Sequence, residues 1–164
     1  MATEIMNETS QYLTFTLGGE EFALDISKVR EVLDYTAITK MPKMPDYVKG
    51  VINLRGSGVP VVDLRMKLGM PETERTANSC IVIVEINLGG GLVPMGALTD
   101  TVEEVLDLDG KNIEPPPSMG SGIESSLIKG MGKKADKFII ILDIDRVLSG
   151  GETDLSFTED IQAA

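Results

Sequence analysis

The chain of 164 residues contains no histidine and no tryptophan. Without histidine it lacks the commonest general base and metal ligand, and it cannot itself be a phosphohistidine relay. Aromatic residues make up only 4%, with three tyrosines and four phenylalanines. That is too few for base-stacking platforms or for an aromatic groove that grips proline-rich peptides. The one cysteine, Cys80, excludes an intrachain disulfide and suits a reducing cytosol. It opens the apolar run Ile81–Val84 with no histidine to activate it, and reads as a buried structural thiol. The longest apolar runs, Ile81–Val84 and Phe138–Leu142, are strand length. They fall far short of the roughly 20 residues that span a bilayer. Met1–Ile5 has neither the basic start nor the apolar stretch of a secretory signal. These absences lead to the expectation of a soluble, cytoplasmic protein.

Positive charge is scarce as well. Fifteen Lys and Arg stand against 26 Asp and Glu, a net charge of −11. Glu4, Glu8, Glu152, Asp154, Glu159 and Asp160 lie near the ends with no basic residue among them. Residues 1–10 and 151–164 are therefore expected as flexible acidic tails around a folded part, 11–150. The acidic body argues against tracking nucleic-acid phosphates, which needs clustered Lys and Arg. Phosphate and metal motifs are incomplete. Asp107-Leu108-Asp109-Gly110 brings its glycine too early for a calcium loop, and Gly130-Met131-Gly132-Lys133-Lys134 lacks the spacing and hydroxyl of a P-loop. Gly56-Ser57-Gly58 precedes a strand instead of opening a helix. No catalytic, cofactor or metal site is expected, and the protein is read as a non-enzyme.

What is present is a series of short apolar runs punctuated by Gly, Pro and Asp. Tyr12–Leu17, Glu21–Leu24, Val29–Tyr35, Val59–Val62, Cys80–Leu88, Leu92–Leu98, Val102–Leu108 and Lys137–Leu142 read as strands. Gly18-Gly19 and Gly89-Gly90-Gly91 mark hairpins. Short helical turns are expected at Leu64–Leu68 and Ile144–Leu148, capped by Asp63 and Asp143, with another at Asp46–Lys49.

The series occurs twice. Val48-Lys49-Gly50 matches Ile128-Lys129-Gly130 eighty positions later, and at the same offset Val61-Val62-Asp63-Leu64 matches Ile141-Leu142-Asp143-Ile144. Upstream, Leu17-Gly18-Gly19 matches Leu88-Gly89-Gly90, and Val29–Asp34 matches Val102–Asp107. Each copy reads as hairpin, strand, proline loop, Lys-Gly turn, apolar strand and capped turn. Five strands per copy is the count of a small SH3-type barrel, too narrow to enclose a ligand. The predicted fold is all-β, with two intertwined five-stranded SH3-like barrels, roughly 11–70 and 80–150, that exchange strands. The copies diverge most where Ile52-Asn53-Leu54-Arg55-Gly56-Ser57-Gly58 faces Gly132-Lys133-Lys134-Ala135-Asp136-Lys137-Phe138. The second reads as an ordinary exposed hairpin tip; the first carries a leucine and an arginine free for other work.

Lys49-Gly50-Val51-Ile52-Asn53-Leu54-Arg55-Gly56, followed by Val59-Pro60-Val61-Val62-Asp63-Leu64-Arg65, resembles the signature of the CheW family and of the CheW-like regulatory domain of the kinase CheA. Phe22–Asp25, Val29–Leu33, Ile113-Glu114-Pro115-Pro116, Ile128–Gly132 and Ile139–Asp143 extend the resemblance over residues 11 to 150. It implies a scaffold that joins the cytoplasmic tips of methyl-accepting chemotaxis receptors to the regulatory domain of the histidine kinase CheA. It also implies recruitment to membrane-associated receptor arrays without membrane insertion, and a monomer when free. Carried over by motif, the interface comprises Val29, Glu31, Gly50, Asn53, Leu54, Arg55, Gly56 and Val105, with Val29 and Val105 as counterparts lining a groove between barrels. The chain departs from the family at Ser57-Gly58, where a bulkier strand start is usual. It departs again at Pro94-Met95, where the proline marks an edge or bulged strand. A regulatory module of another chemosensory pathway and a generic peptide-binding barrel are the alternative readings.

The purified protein is expected to bind neither ATP nor a divalent metal stoichiometrically in isothermal titration calorimetry. Tight binding of either would overturn the non-enzymatic reading.

Overall fold

The computed structural model describes residues 9–116 and 125–149; the expected tails lie almost wholly outside them, and Thr9 and Ser10 already belong to the first strand. In chain order the elements are β1 (Thr9–Leu17), β2 (Glu20–Asp25), β3 (Val29–Asp34), β4 (Val48–Leu54), β5 (Ser57–Asp63) and α1 (Leu64–Lys67). There follow β6 (Cys80–Leu88), β7 (Gly91–Thr99), β8 (Thr101–Asp109), β9 (Ile113–Glu114), β10 (Ile128–Lys134), β11 (Lys137–Leu142) and α2 (Ile144–Ser149). One sheet runs β8-β1-β2-β11-β10-β9 and the other β3-β6-β7-β5-β4. The two-residue β9 makes the first sheet six-stranded; its counterpart in the second is the single bridge from Thr39 to Val51. The fold is all-β and intertwined. The hairpin β1–β2 sits in a sheet otherwise built by the second half, and β6–β7 sits among strands of the first. Two parallel pairings, β2 with β11 and β5 with β7, join the exchanged strands to their hosts.

The hairpins form where the glycine signals placed them. Gly18, Gly19, Gly89 and Gly90 all take positive φ, the turn conformation that costs a glycine least. Asp63 accepts the amide of Arg65 at the start of α1, and Asp143 accepts that of Arg146 in α2.

Three strands escaped the sequence reading, the two-residue β9 among them. The Lys-Gly segments expected as turns are β4 and β10, and Asp46–Lys49 is a tight turn running into β4, with no helix. Gly50 and Gly130 interrupt the apolar pattern because each strand is irregular there, with register shifts between Val48 and Gly50 and between Ile128 and Gly130. Gly50 has φ +141°, and a Cβ on it would stand 2.1 Å from the carbonyl oxygen of Thr39. Only glycine lets the Thr39 backbone lie against β4 this closely.

Pro94 is a further correction. Its strand β7 lies inside the sheet, but β5 pairs with β7 only opposite Gly96–Leu98, so the proline borders β6 alone. The missing donor is tolerated because that stretch is locally an edge.

Register also revises the internal match. Val29 faces Val84 and Val105 faces Leu13, and those partners occupy corresponding places before the equivalent Leu17 and Leu88 hairpins. Val29 and Val105 are thus spatial counterparts, and the sequence match of Val29–Asp34 with Val102–Asp107 is displaced from the structural one. Each of the two strands also carries a one-residue bulge: β3 shifts register between Val29 and Glu31, and β8 shifts opposite Leu13–Phe15. Opposite the bulge of β8 the buried Thr14 hydroxyl of β1 takes over the broken ladder, donating to Glu104 O at 2.9 Å and accepting Glu104 N–H at 3.1 Å.

Each barrel has a small interior. Ile52, Val59, Val61, Ile81, Ile83 and Leu98 fill one; Tyr12, Ala23, Leu108, Ile139 and Ile141 fill the other. The largest apolar cluster joins residues of both sheets: Phe15, Phe22 and Leu24 pack with Val62, Leu64, Val82, Val84 and Ile86, and with Val147 and Leu148 of α2. Most of the burial that drives folding therefore needs both halves.

Calorimetry of the full chain is expected to show one cooperative transition. A fragment ending near Lys67 should fail to fold; two separated transitions, or a stable fragment, would contradict the shared core. Gly50→Ala should lose about 3 kcal/mol or more in urea titration, from strain and the Thr39 contact. Gly91→Ala, where a Cβ would meet open space, should cost no more than about 1 kcal/mol.

Candidate protein-docking site

The β4–β5 hairpin closes at the pair Leu54 and Ser57, leaving Arg55 and Gly56 as a two-residue turn. Their φ angles are +51° and +86°, the pattern of a type I′ turn, whose twist matches that of the strands. An arginine with positive φ is uncommon, and here the surroundings hold it there. The side-chain oxygen of Asn53 accepts the Gly56 amide at 2.8 Å. Leu54 packs against the interior cluster of its barrel. In the other half, Ala135 has φ +55° at the matching place between β10 and β11. The two turns share a strained backbone, and the first differs by bearing a guanidinium.

That guanidinium reaches back to β3. Arg55 Nη1 donates to Glu31 Oε2 at 2.7 Å and Nη2 donates to Oε1 at 3.1 Å, a bidentate fork. The Arg55 side chain nevertheless stays 68% exposed against 23% for Glu31, so the pair orients a charge instead of burying it. The hydrogen bonds from Arg55, together with its charge, hold the Glu31 carboxyl below the usual carboxylate range and raise the guanidinium. Beside the turn lies a cavity of about 420 Å³ with Thr39, Met41, Val51, Asn53, Gly56 and Gly58 on its walls. A side chain at Gly58 would enter this region; its counterpart in the other half is Phe138, which is 46% exposed.

Of the residues singled out from sequence, Glu31, Asn53, Leu54, Arg55 and Gly56 come together at this turn. Gly50 is buried, and its part is to let the Thr39 backbone approach. Val29, half-buried on β3, packs against the shared core. Val105 stands on β8 at the edge of the other sheet, 47% exposed. There the same closing device recurs with a weaker cation: Lys134 donates to Glu104 at 2.8 Å and lies 3.6 Å from Glu21. Thr39 and Met41 were not found from sequence, because the loop between β3 and β4 carries no periodic signal; Gly58, on β5, stood out only as a departure from the family. The exposure of Phe138 was legible in principle, since it faces Gly58 in the internal alignment.

Chemistry is sparse elsewhere. Burial raises the Cys80 thiol above its ordinary value, which keeps it protonated. Among the described residues no group of three acidic or thiol side chains could hold a metal ion, and no helix is long and apolar enough to cross a membrane.

Comparison with known proteins bears on what such a turn serves. The profile of the CheW-like domain matches residues 11–152. The chemotaxis protein CheW of Klebsiella aerogenes is 35% identical over 142 residues, covering 87% of this chain and 83% of that protein. Its counterpart in Rhizobium meliloti is 32% identical over 151 residues, covering 92% and 95%. The crystal structure of the scaffolding protein TtCheW from Thermoanaerobacter tengcongensis superposes with a TM-score of 0.80 at 34% identity, covering 90% of this chain and 98% of that one. With the intertwined β-barrels, the duplicated hairpins and the Arg55 turn in the same chain, the protein belongs to the CheW-like domain family of chemotaxis scaffolds.

Proposed function

We propose that this chain couples methyl-accepting chemotaxis receptors to the regulatory domain of the histidine kinase CheA, and that it does so without catalysis. The carrying observation is the Arg55 turn: a charge-bearing side chain, exposed yet fixed by Glu31 and Asn53, beside an apolar cavity. Preorganised arginine next to an apolar recess is a hot-spot arrangement, because little side-chain entropy remains to be lost on docking. A receptor tip built as a helical hairpin would lay an apolar face against such a surface, a common mode of recognition. Val29, Glu31, Gly50, Asn53, Leu54, Arg55, Gly56 and Val105 are assigned to this interface in different capacities. Arg55 and Leu54 are placed to touch the partner, Glu31 and Asn53 orient Arg55, and Gly50 and Gly56 shape the backbone. Val29 and Val105 mark equivalent places on the two barrels. The free protein is taken to be monomeric and cytoplasmic, drawn to receptor arrays by these contacts.

Arg55→Ala is expected to leave the melting temperature near native, since exposed substitutions change stability by about 0.5 kcal/mol or less. Loss of a central interface arginine costs about 2 kcal/mol of binding, roughly thirtyfold in affinity. Receptor binding and kinase stimulation in a reconstituted assembly should fall together. Lys133→Ala, which breaks an exposed pair with Glu114 at 3.0 Å, should do little. Unfolding of Arg55→Ala would make the residue structural, and unchanged coupling would remove it from the interface. The same variant tests the electrostatics. A carboxyl depressed by a native partner contributes stability above its unfolded value and loses it as pH falls through the folded one. Carboxyl NMR titration should therefore place Glu31 below the ordinary range in the native protein and higher in Arg55→Ala.

A further inference from the structure

The segment 69–79, which links α1 to β6 without regular structure, is held down at three places. Glu72 pairs with Lys49 of β4. Thr73 is buried and donates twice to Asp63 at the end of β5, through its amide at 2.9 Å and its hydroxyl at 2.6 Å. The Arg75 guanidinium lies 4.2 Å from the ring centre of Tyr35, just past β3. The three anchors thus lie on β4, on β5 and at the first residue after β3, all in one barrel. Those are the strands whose other ends carry Glu31 and the Arg55 turn.

Beneath the strap is a cavity of about 550 Å³ with Tyr35, Ile38, Met41, Met44, Glu72 and Thr73 on its walls. Met41 also lines the cavity beside Arg55, so the two spaces share a wall residue. The same loop carries Thr39, whose amide and carbonyl both bond to Val51 of β4, at 2.9 and 2.8 Å. The 35–47 loop thus touches both regions: Tyr35 meets Arg75 of the strap, Thr39 bonds to β4, and Met41 lines both cavities.

We propose that residues 69–79 act as a latch whose closed state fixes the 35–47 loop and thereby keeps the Arg55 turn in its docking form. The latch is weakly made on its outer side. The Lys49–Glu72 pair and the Arg75–Tyr35 contact are open to solvent and salt, while the Asp63–Thr73 bonds are buried. Opening the outer contacts can loosen the loop without unfolding the barrel, the kind of local opening that biases a distant site. A partner or ionic condition that engages Glu72 or Arg75 would then tune docking from the opposite end of the same strands. This inference rests on the docking role of Arg55, and its structural half is measured independently of that role.

The test uses the full chain with the double substitution Glu72→Gln/Arg75→Gln. Thermal melting should stay within a few degrees of native. Hydrogen-exchange mass spectrometry should show at least about tenfold faster exchange across 35–49 as well as 69–79. Affinity for the receptor-tip hairpin used with Arg55→Ala should weaken by about twofold to thirtyfold. Thr73→Val should reproduce the exchange pattern and Thr73→Ser, which keeps the hydroxyl, should restore it. Acceleration confined to 69–79 overturns the latch, and so does acceleration across 35–49 with unchanged affinity. If Arg55→Ala itself leaves affinity unchanged, the docking reading fails, and the exchange pattern alone then decides whether the strap holds the loop.

Discussion

The largest apolar cluster lies between the two barrels, and the rest of the architecture follows from that placement. A barrel interior filled by five or six side chains, such as Ile52, Val59, Val61, Ile81, Ile83 and Leu98, is too small to hold a chain of this length together. The shared cluster supplies what each barrel lacks, and strand exchange is the means. By lending β1–β2 to one sheet and β6–β7 to the other, each half places Phe22, Leu24, Val82 or Val84 where the partner half needs an apolar neighbour. Because the two barrels cannot separate without exposing this cluster, the exposed turns on them keep fixed relative positions. For a scaffold, that rigidity matters more than any chemistry at the surface.

Against this background the two barrels carry different side chains on one backbone. Both close their far ends with a strained two-residue turn and a cation reaching to an edge strand. In one barrel the cation is an arginine in the turn itself, braced by Asn53 and forked onto Glu31, with a glycine at 58 leaving the neighbouring surface open. In the other it is Lys134, one residue before Ala135, and Phe138 projects where the first barrel is hollow. Arginine and lysine differ in what they fix: the planar fork sets a direction, while an ammonium sets only a charge. The duplication therefore supplies two turns of like backbone whose surfaces differ in relief and in the cation they carry.

Much of this was legible in the sequence because it depends on local rules. Diglycines at 18–19 and 89–90 fixed the hairpins, Asp63 and Asp143 fixed the caps, and the eighty-residue offset exposed the duplication. The Arg55 turn could be singled out because the copies diverge there. What escaped depends on pairing across the chain. β4 and β10 looked like turns, since the glycines that break their patterns are demanded by a backbone from another segment, as with Thr39 of the preceding loop against Gly50. The true match of β3 with β8 lies in their pairing with β6 and β1, which no composition reveals; the bulge in β8 is marked only by Thr14, bonding both backbone groups of Glu104. The strap over β3, β4 and β5 was invisible for the same reason, as its anchors Lys49, Asp63 and Tyr35 are ordinary residues until the fold collects them.

The parallel pairing of β2 with β11 has a consequence for how the chain is made. Phe22 rests beside Ile140, and Ala23 beside Ile141, so an early strand finds its neighbour only after nearly the whole sequence exists. At a synthesis rate of about 5–20 residues per second, the intervening stretch of about 120 residues takes roughly 6–24 s to appear. During that interval the β1–β2 hairpin has open edges and an uncovered apolar face. The sheet β3-β6-β7-β5-β4 has all its strands once Thr99 is made, whereas the sheet that holds β1–β2 waits for the last hairpin. Contacts so distant along the chain make for slow folding. The nascent protein passes through a vulnerable window in which holding factors would matter more than they do for the finished molecule.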